Sequence, residues 1–196
     1  LRKQRKIPVR SGPVVLVNPQ FTTKATGSVN ADAGSGAKGP CGGRDWSELL
    51  HTADEGKVVA SRLRAARLLQ GLGATEEALK KIRGPQLLHV ATHGCFPKVD
   101  TERSRVAQHT RGVMSLEEAP SPPGEVMIST GLLLAGANHH QSPGGPGDGV
   151  LTALEAGSLD LWGTDLVVLS ACGTGLGDVK SGEGVYGLQR SMMLAG

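Results

Sequence analysis

Two apolar runs constrain this chain more than any other feature. Gln86-Leu87-Leu88-His89-Val90-Ala91-Thr92 ends at His93-Gly94, and Leu166-Val167-Val168-Leu169-Ser170-Ala171 ends at Cys172 and a glycine-rich stretch, 173–177. Neither run alternates polar with apolar residues, so each predicts a strand buried on both faces, as in a parallel sheet covered by helices. In such sheets reactive groups collect at the carboxyl ends of the strands. A thiol and an imidazole, each at such an end, are the parts that a cysteine nucleophile and its general base require.

The rest of the chain supports a sheet with helices between its strands. Val14-Val15-Leu16-Val17, halted by Asn18-Pro19, predicts a first buried strand, and residues 66–70 a second. Residues 46–64 predict a helix with Leu49, Leu50, Ala53, Val58 and Leu63 turned inward. Residues 75–82 predict another, with Thr75 as N-cap, acids in its first turn and lysines in its last. Residues 24–44 and 97–149 are loop-rich, the second broken by an extra strand around Gly131-Leu132-Leu133-Leu134. Residues 151–156 predict a short helix, and residues 184–195 a helix that runs to the last positions. The whole, 1–196, is expected to be a single domain cut at its C-terminal end from something longer.

Charge and cysteine usage narrow the function classes. Arg2, Lys3, Arg5, Lys6 and Arg10 put five positive charges in the first ten residues, and the other 186 residues, with 16 basic and 18 acidic groups (21 − 5 and 18), are slightly acidic, which leaves the formal charge of +3. No basic face is laid out for nucleic acid, and no apolar stretch is long enough for a membrane span. The 3 cysteines have neither disulfide-framework nor Cys-x-x-Cys spacing, which fits a reducing, cytoplasmic setting.

As chemistry, Cys172 is the expected nucleophile and His93 its base, with the Gly94 and Cys172 amides as oxyanion donors. The bland alternatives are a buried structural cysteine and a loop histidine without a task. His89 shares the face of His93 and is expected to be buried and structural. His93, Cys95, Cys172 and His89 could in principle converge on zinc, but the short ligand spacings are missing, so no metal is assigned. Gly173-x-Gly175-x-Gly177 lacks the third glycine of a dinucleotide fingerprint, and Lys180-Ser181 lacks a Walker glycine, so no cofactor is expected. Asp148 and Glu155 are acids near the expected site edge. They would orient the base or read a basic substrate side chain, unless they serve as turn and cap residues. Glu183 is expected to be a favourable helix-dipole partner rather than a catalyst.

Several blocks are similar to a known family. They are Leu88-His89-Val90-Ala91-Thr92-His93-Gly94-Cys95-Phe96, then Gly131-Leu132-Leu133-Leu134-Ala135-Gly136-Ala137, then Asp148-Gly149-Val150-Leu151-Thr152-Ala153-Leu154-Glu155. The longest spans residues 161–196 and contains Ser170-Ala171-Cys172-Gly173-Thr174-Gly175. In these the chain resembles a CHAT domain, the caspase-like cysteine peptidase family often joined to tetratricopeptide repeats. The resemblance implies a three-layer α/β caspase-like fold with a mainly parallel sheet flanked by helices, truncated at the C-terminus. It implies thiol endopeptidase activity on a protein or peptide substrate, with His93 and Cys172 as the dyad, Gly94 at the oxyanion site, and Asp148 and Gly173 at substrate-contacting positions. The alternative is a protease-like interaction module that scaffolds partners without cleaving them.

Overall fold

The computed structural model describes residues 8–22, 46–96, 127–139, 147–172 and 183–196, and only the backbone of His139, Cys172, Glu183 and Gly184. Within these residues the apolar runs become strands as their composition demands. They are β1 (Val14–Pro19), β2 (Arg67–Gly71), β3 (Leu87–Cys95) and, from the second long run, a strand at Leu166–Cys172. Two shorter strands precede it in the chain, so it is β6, after β4 (Gly131–Leu133) and β5 (Val150–Thr152). Residues 24–44, and most of 97–149 outside β4 and its surroundings, lie outside the described residues.

The sheet is mixed rather than mainly parallel. β2-β1-β3 and β3-β6 pair in parallel, whereas β3-β4 and β4-β5 pair antiparallel. β1 accompanies β3 only as far as Ala91, and β4 joins β3 further on, at Gly94 and Cys95. The chain leaving β4 turns back toward the end of β1, where the Gly136 N–H donates to the Gln20 carbonyl. Residues 151 and 152, expected to open a helix, instead join Val150 in pairing with 131–133, burying Val150 and Leu151 against Leu132 and Leu133.

Helices cover both faces. α1 (Leu50–Arg62) lies on one face, where Gly56 packs directly on Val17 and leaves no room for a Cβ. The inward stripe follows that contact, so Val59, Ala60 and Leu63 join Val15, Val17 and Ala91. Leu50 and Val58, expected inward, are 67% and 59% exposed because Gly56 sets the helix phase. α2 (Glu76–Lys80) is capped by Thr75, whose Oγ1 accepts from the Ala78 N–H at 3.1 Å. α3 (Ala153–Ala156) opens with a capping box between Thr152 and Glu155. On the face opposite α1, α4 (Glu183–Ala195) lays Leu188 and Met192 on a cluster containing Leu16, Leu88, Val90 and Leu132. Successive β3 residues therefore serve different layers: Leu88 and Val90 belong to the α4 side, and Ala91 to the α1 side.

β6 pairs with β3 over seven consecutive positions, Leu87↔Leu166 to His93↔Cys172. Among the described residues no strand pairs with its other edge, and Leu166 is 51% exposed. A groove of about 480 Å³ runs between β6 and α4, lined by Leu166, Leu169, Val185, Leu188 and Met193 among others.

Candidate active site

His93 lies in the last turn of pleat of β3 and is 6% exposed. Its burial comes from two rings that flank it. The Phe21 centroid is 5.3 Å away and the Trp46 centroid 5.2 Å, tilted by 38° and 42°. Phe21 follows β1 and Trp46 precedes α1, and both join Leu133, Ala137 and Val150 in a small apolar cluster.

A buried imidazole needs partners for its polar atoms. The Nε2 atom of His93 lies 2.9 Å from the carbonyl oxygen of Ser47. A carbonyl only accepts, so Nε2 must carry the proton, and in the neutral ring the lone pair resides on Nδ1. That tautomer presents Nδ1 as the basic nitrogen.

Cys172 is the register partner of His93 on the neighbouring parallel strand. Adjacent strands lie about 4.8 Å apart, so the two backbones meet side by side, Cys172 as the last residue of β6 and His93 two residues short of the end of β3, which runs on past the expected tip. The tips expected from the two apolar runs are thus brought together by direct strand pairing. Gly94, the expected oxyanion donor, is buried and faces Leu132 of β4. A side chain there would meet the Phe96 ring at 2.8 Å. Gly173 lies outside the described residues.

The acids serve turns and caps. Asp148 Oδ1 accepts from the Val150 N–H at 2.8 Å, at the entry to β5. Glu155 accepts from the Thr152 N–H at 3.0 Å and from Lys80 Nζ at 3.0 Å. Burial works against its charge, but the Thr152 and Lys80 hydrogen bonds prevail and hold its carboxyl below the usual value. Lys80 also pairs with Glu76, which is 1% exposed and whose second oxygen accepts from the Gly147 N–H at 3.1 Å. Burial, more than any neighbour, pushes the Glu76 carboxyl up. This cluster fastens the turn before β5 to α2.

His89 is buried, as expected, and its Nε2 lies 3.0 Å from Glu55 Oε1 of α1. With Ser47 on His93 and Glu55 on His89, each ring has its own partner on the α1 side. Cys95 departs from expectation: it is disulfide-bonded, with its partner sulfur outside the described side chains. Cysteine spacing gave no hint of it. Among the described residues no group of His, Cys, Asp and Glu is arranged to hold a metal ion. Among the same residues no helix is long and apolar enough to cross a membrane.

Sequence reasoning missed Ser47, Phe21 and Trp46. Ser47 acts through a backbone carbonyl, which has no residue signature. Trp46, one of 2 tryptophans in a chain with 3% aromatics, was the available signal.

The family model for the CHAT domain matches residues 1–196, the whole chain, and the chain belongs to that family. CHAT is a caspase-like peptidase family. No curated protein and no solved structure matches the chain.

Proposed function

We propose that this member of the CHAT family is a cysteine endopeptidase domain in which His93 and Cys172 form the dyad. The observation that carries the reading is the register pairing of His93 with Cys172, near the end of β3 and at the end of β6. The Ser47 carbonyl on His93 Nε2 adds to it by leaving Nδ1 as the base.

In this reading His93 Nδ1 takes the Cys172 thiol proton, and the thiolate attacks the scissile carbonyl. The Gly94 and Cys172 N–H groups receive the oxyanion. The imidazolium, steadied by Ser47, passes its proton to the leaving amine, and a thioester remains on Cys172. Water, deprotonated by His93, hydrolyses that thioester and restores the thiol. Asp148, beside its turn role at the entry to β5, and Gly173 are read as substrate contacts.

The test is labelling by a panel of peptidyl acyloxymethyl ketones with different P1 residues. Wild-type protein is expected to label with at least one member, Cys172→Ala with none, and His93→Ala far more slowly. Equal labelling of wild type and Cys172→Ala would remove the enzyme reading. The scaffold alternative draws on a different observation, the half-exposed β6 edge beside an apolar groove. Absence of labelling across the panel favours it.

A further inference from the structure

Residues 46–49, which supply the acceptor for His93, belong to no helix or strand. Their carbonyls are therefore not aimed by any ladder, and something else must hold them. The side chain that does so is Asn138, 92 positions away in sequence.

Asn138 sits in a 3-10 turn, Ala137–His139, just after β4. Its Oδ1 accepts from the Trp46 N–H at 2.8 Å, and its Nδ2 donates to the Trp46 carbonyl at 3.0 Å. One amide thus satisfies both backbone polar groups of Trp46, as a neighbouring strand would. The second Nδ2 proton goes to Thr22 Oγ1 at 3.0 Å, and the Asn138 backbone N–H goes to the Phe21 carbonyl at 3.0 Å. A backbone N–H cannot accept and a carbonyl cannot donate, so this network admits only one orientation of the amide.

The clamp unites the two segments whose rings flank His93, and it grips the residue directly before Ser47. Downstream, Ser47 is bounded by the start of α1, where the Thr52 N–H and Oγ1 both donate to the Leu49 carbonyl. We propose that Asn138 is a positioning residue for His93. By holding the Trp46-Ser47 segment it keeps the Ser47 carbonyl on Nε2, and so keeps the basic lone pair on Nδ1. The proposal deepens the peptidase reading and rests on it for its consequence in catalysis, but the tautomer itself can be measured without any activity.

Asparagine is specifically suited to this position. Aspartate has the same shape but would set a carboxylate oxygen against the Trp46 carbonyl, and alanine removes the clamp altogether. The experiment compares wild type, Asn138→Asp and Asn138→Ala by imidazole nitrogen NMR on histidine-labelled protein above the titration range. In wild type, His93 is expected as the Nε2–H tautomer. Both variants are expected to show a mixture with Nδ1–H, while His89, on the same strand and held by Glu55 of α1, keeps its wild-type signals. The ketone-labelling rate of Cys172 is expected to fall about 10- to 100-fold in both variants, as loss of catalytic orientation does.

An Nδ1–H tautomer in wild type, or unchanged His93 signals in folded variants, would overturn the proposal. Loss of cooperative folding in both variants would do so too, by making Asn138 a purely structural residue. A wild type that labels with no ketone, yet shows the tautomer change, removes the peptidase reading and leaves the positioning role intact.

Discussion

Gly131→Ala probes the junction that holds the outgoing end of β3. Gly131 pairs with Cys95 on one side and Thr152 on the other, and it is buried. A Cβ at this position would lie 2.7 Å from the Leu151 carbonyl oxygen and 3.1 Å from the Thr152 Cα. Both are backbone atoms of a paired strand, so no rotamer change can relieve the contact. Its φ is not among the positive ones, so the new residue is not strained by its own backbone. Overpacking costs about 1–3 kcal/mol. Restricting the unfolded chain returns about 0.4–1 kcal/mol, leaving a net loss of roughly 1–2 kcal/mol. For a chain of this length that is a fall in Tm of about 2–8 °C. Urea unfolding should show a lower midpoint with an unchanged slope. A Tm equal to or above that of wild type would mean that β5 yields freely, and the description of β4 as a tightly held bridge between β3 and β5 would be wrong.

Gly136→Ala separates sterics from backbone conformation: nothing lies within 4 Å of its Cβ position, but its φ is +90°. It should cost about 1–2 kcal/mol from the left-handed backbone alone, with Gly136→Asn milder, and equal stability of all three proteins in urea would contradict this. Glu155→Gln tests the cap at α3. Because the folded Glu155 carboxyl lies below its ordinary value of 4.5, its stabilisation is present above that value and lost as pH falls through the folded pKa. The variant should be less stable than wild type by about 1–2 kcal/mol at neutral pH, and the gap should close in acid. Glu76, whose carboxyl is pushed up, acts with the opposite sign, so the comparison must be made between the two proteins and not read from the wild-type profile alone. A gap independent of pH would refute the assignment. Finally, peptide mapping without reductant should recover Cys95 in a disulfide-linked peptide, and a Cys95 peptide with a free thiol would contradict the bond.

The long strands were legible because burial on both faces leaves a continuous apolar run, a signal contained in seven or so adjacent residues. His93 and Cys172 were legible for the same reason, as polar residues where those runs stop. Thr75 and its acidic first turn announced α2 through local hydrogen bonding. The phase of α1 was not legible, because a glycine rather than a large apolar residue marks its contact, and hydrophobic counting assigns glycine no direction. Nor was β5, since three residues beside a capping box look like the helix they introduce.

The sequence by itself therefore determined the family, the buried strands and which two reactive side chains stand at their ends. These follow from neighbours along the chain, where periodicity and capping operate. Only the tertiary structure decided that the sheet is mixed, that His93 and Cys172 are register partners, and that Ser47, Phe21, Trp46 and Asn138 surround or steer the imidazole. Those relations join residues tens of positions apart, partly through backbone carbonyls and amides common to every residue. No pattern of side chains could announce them.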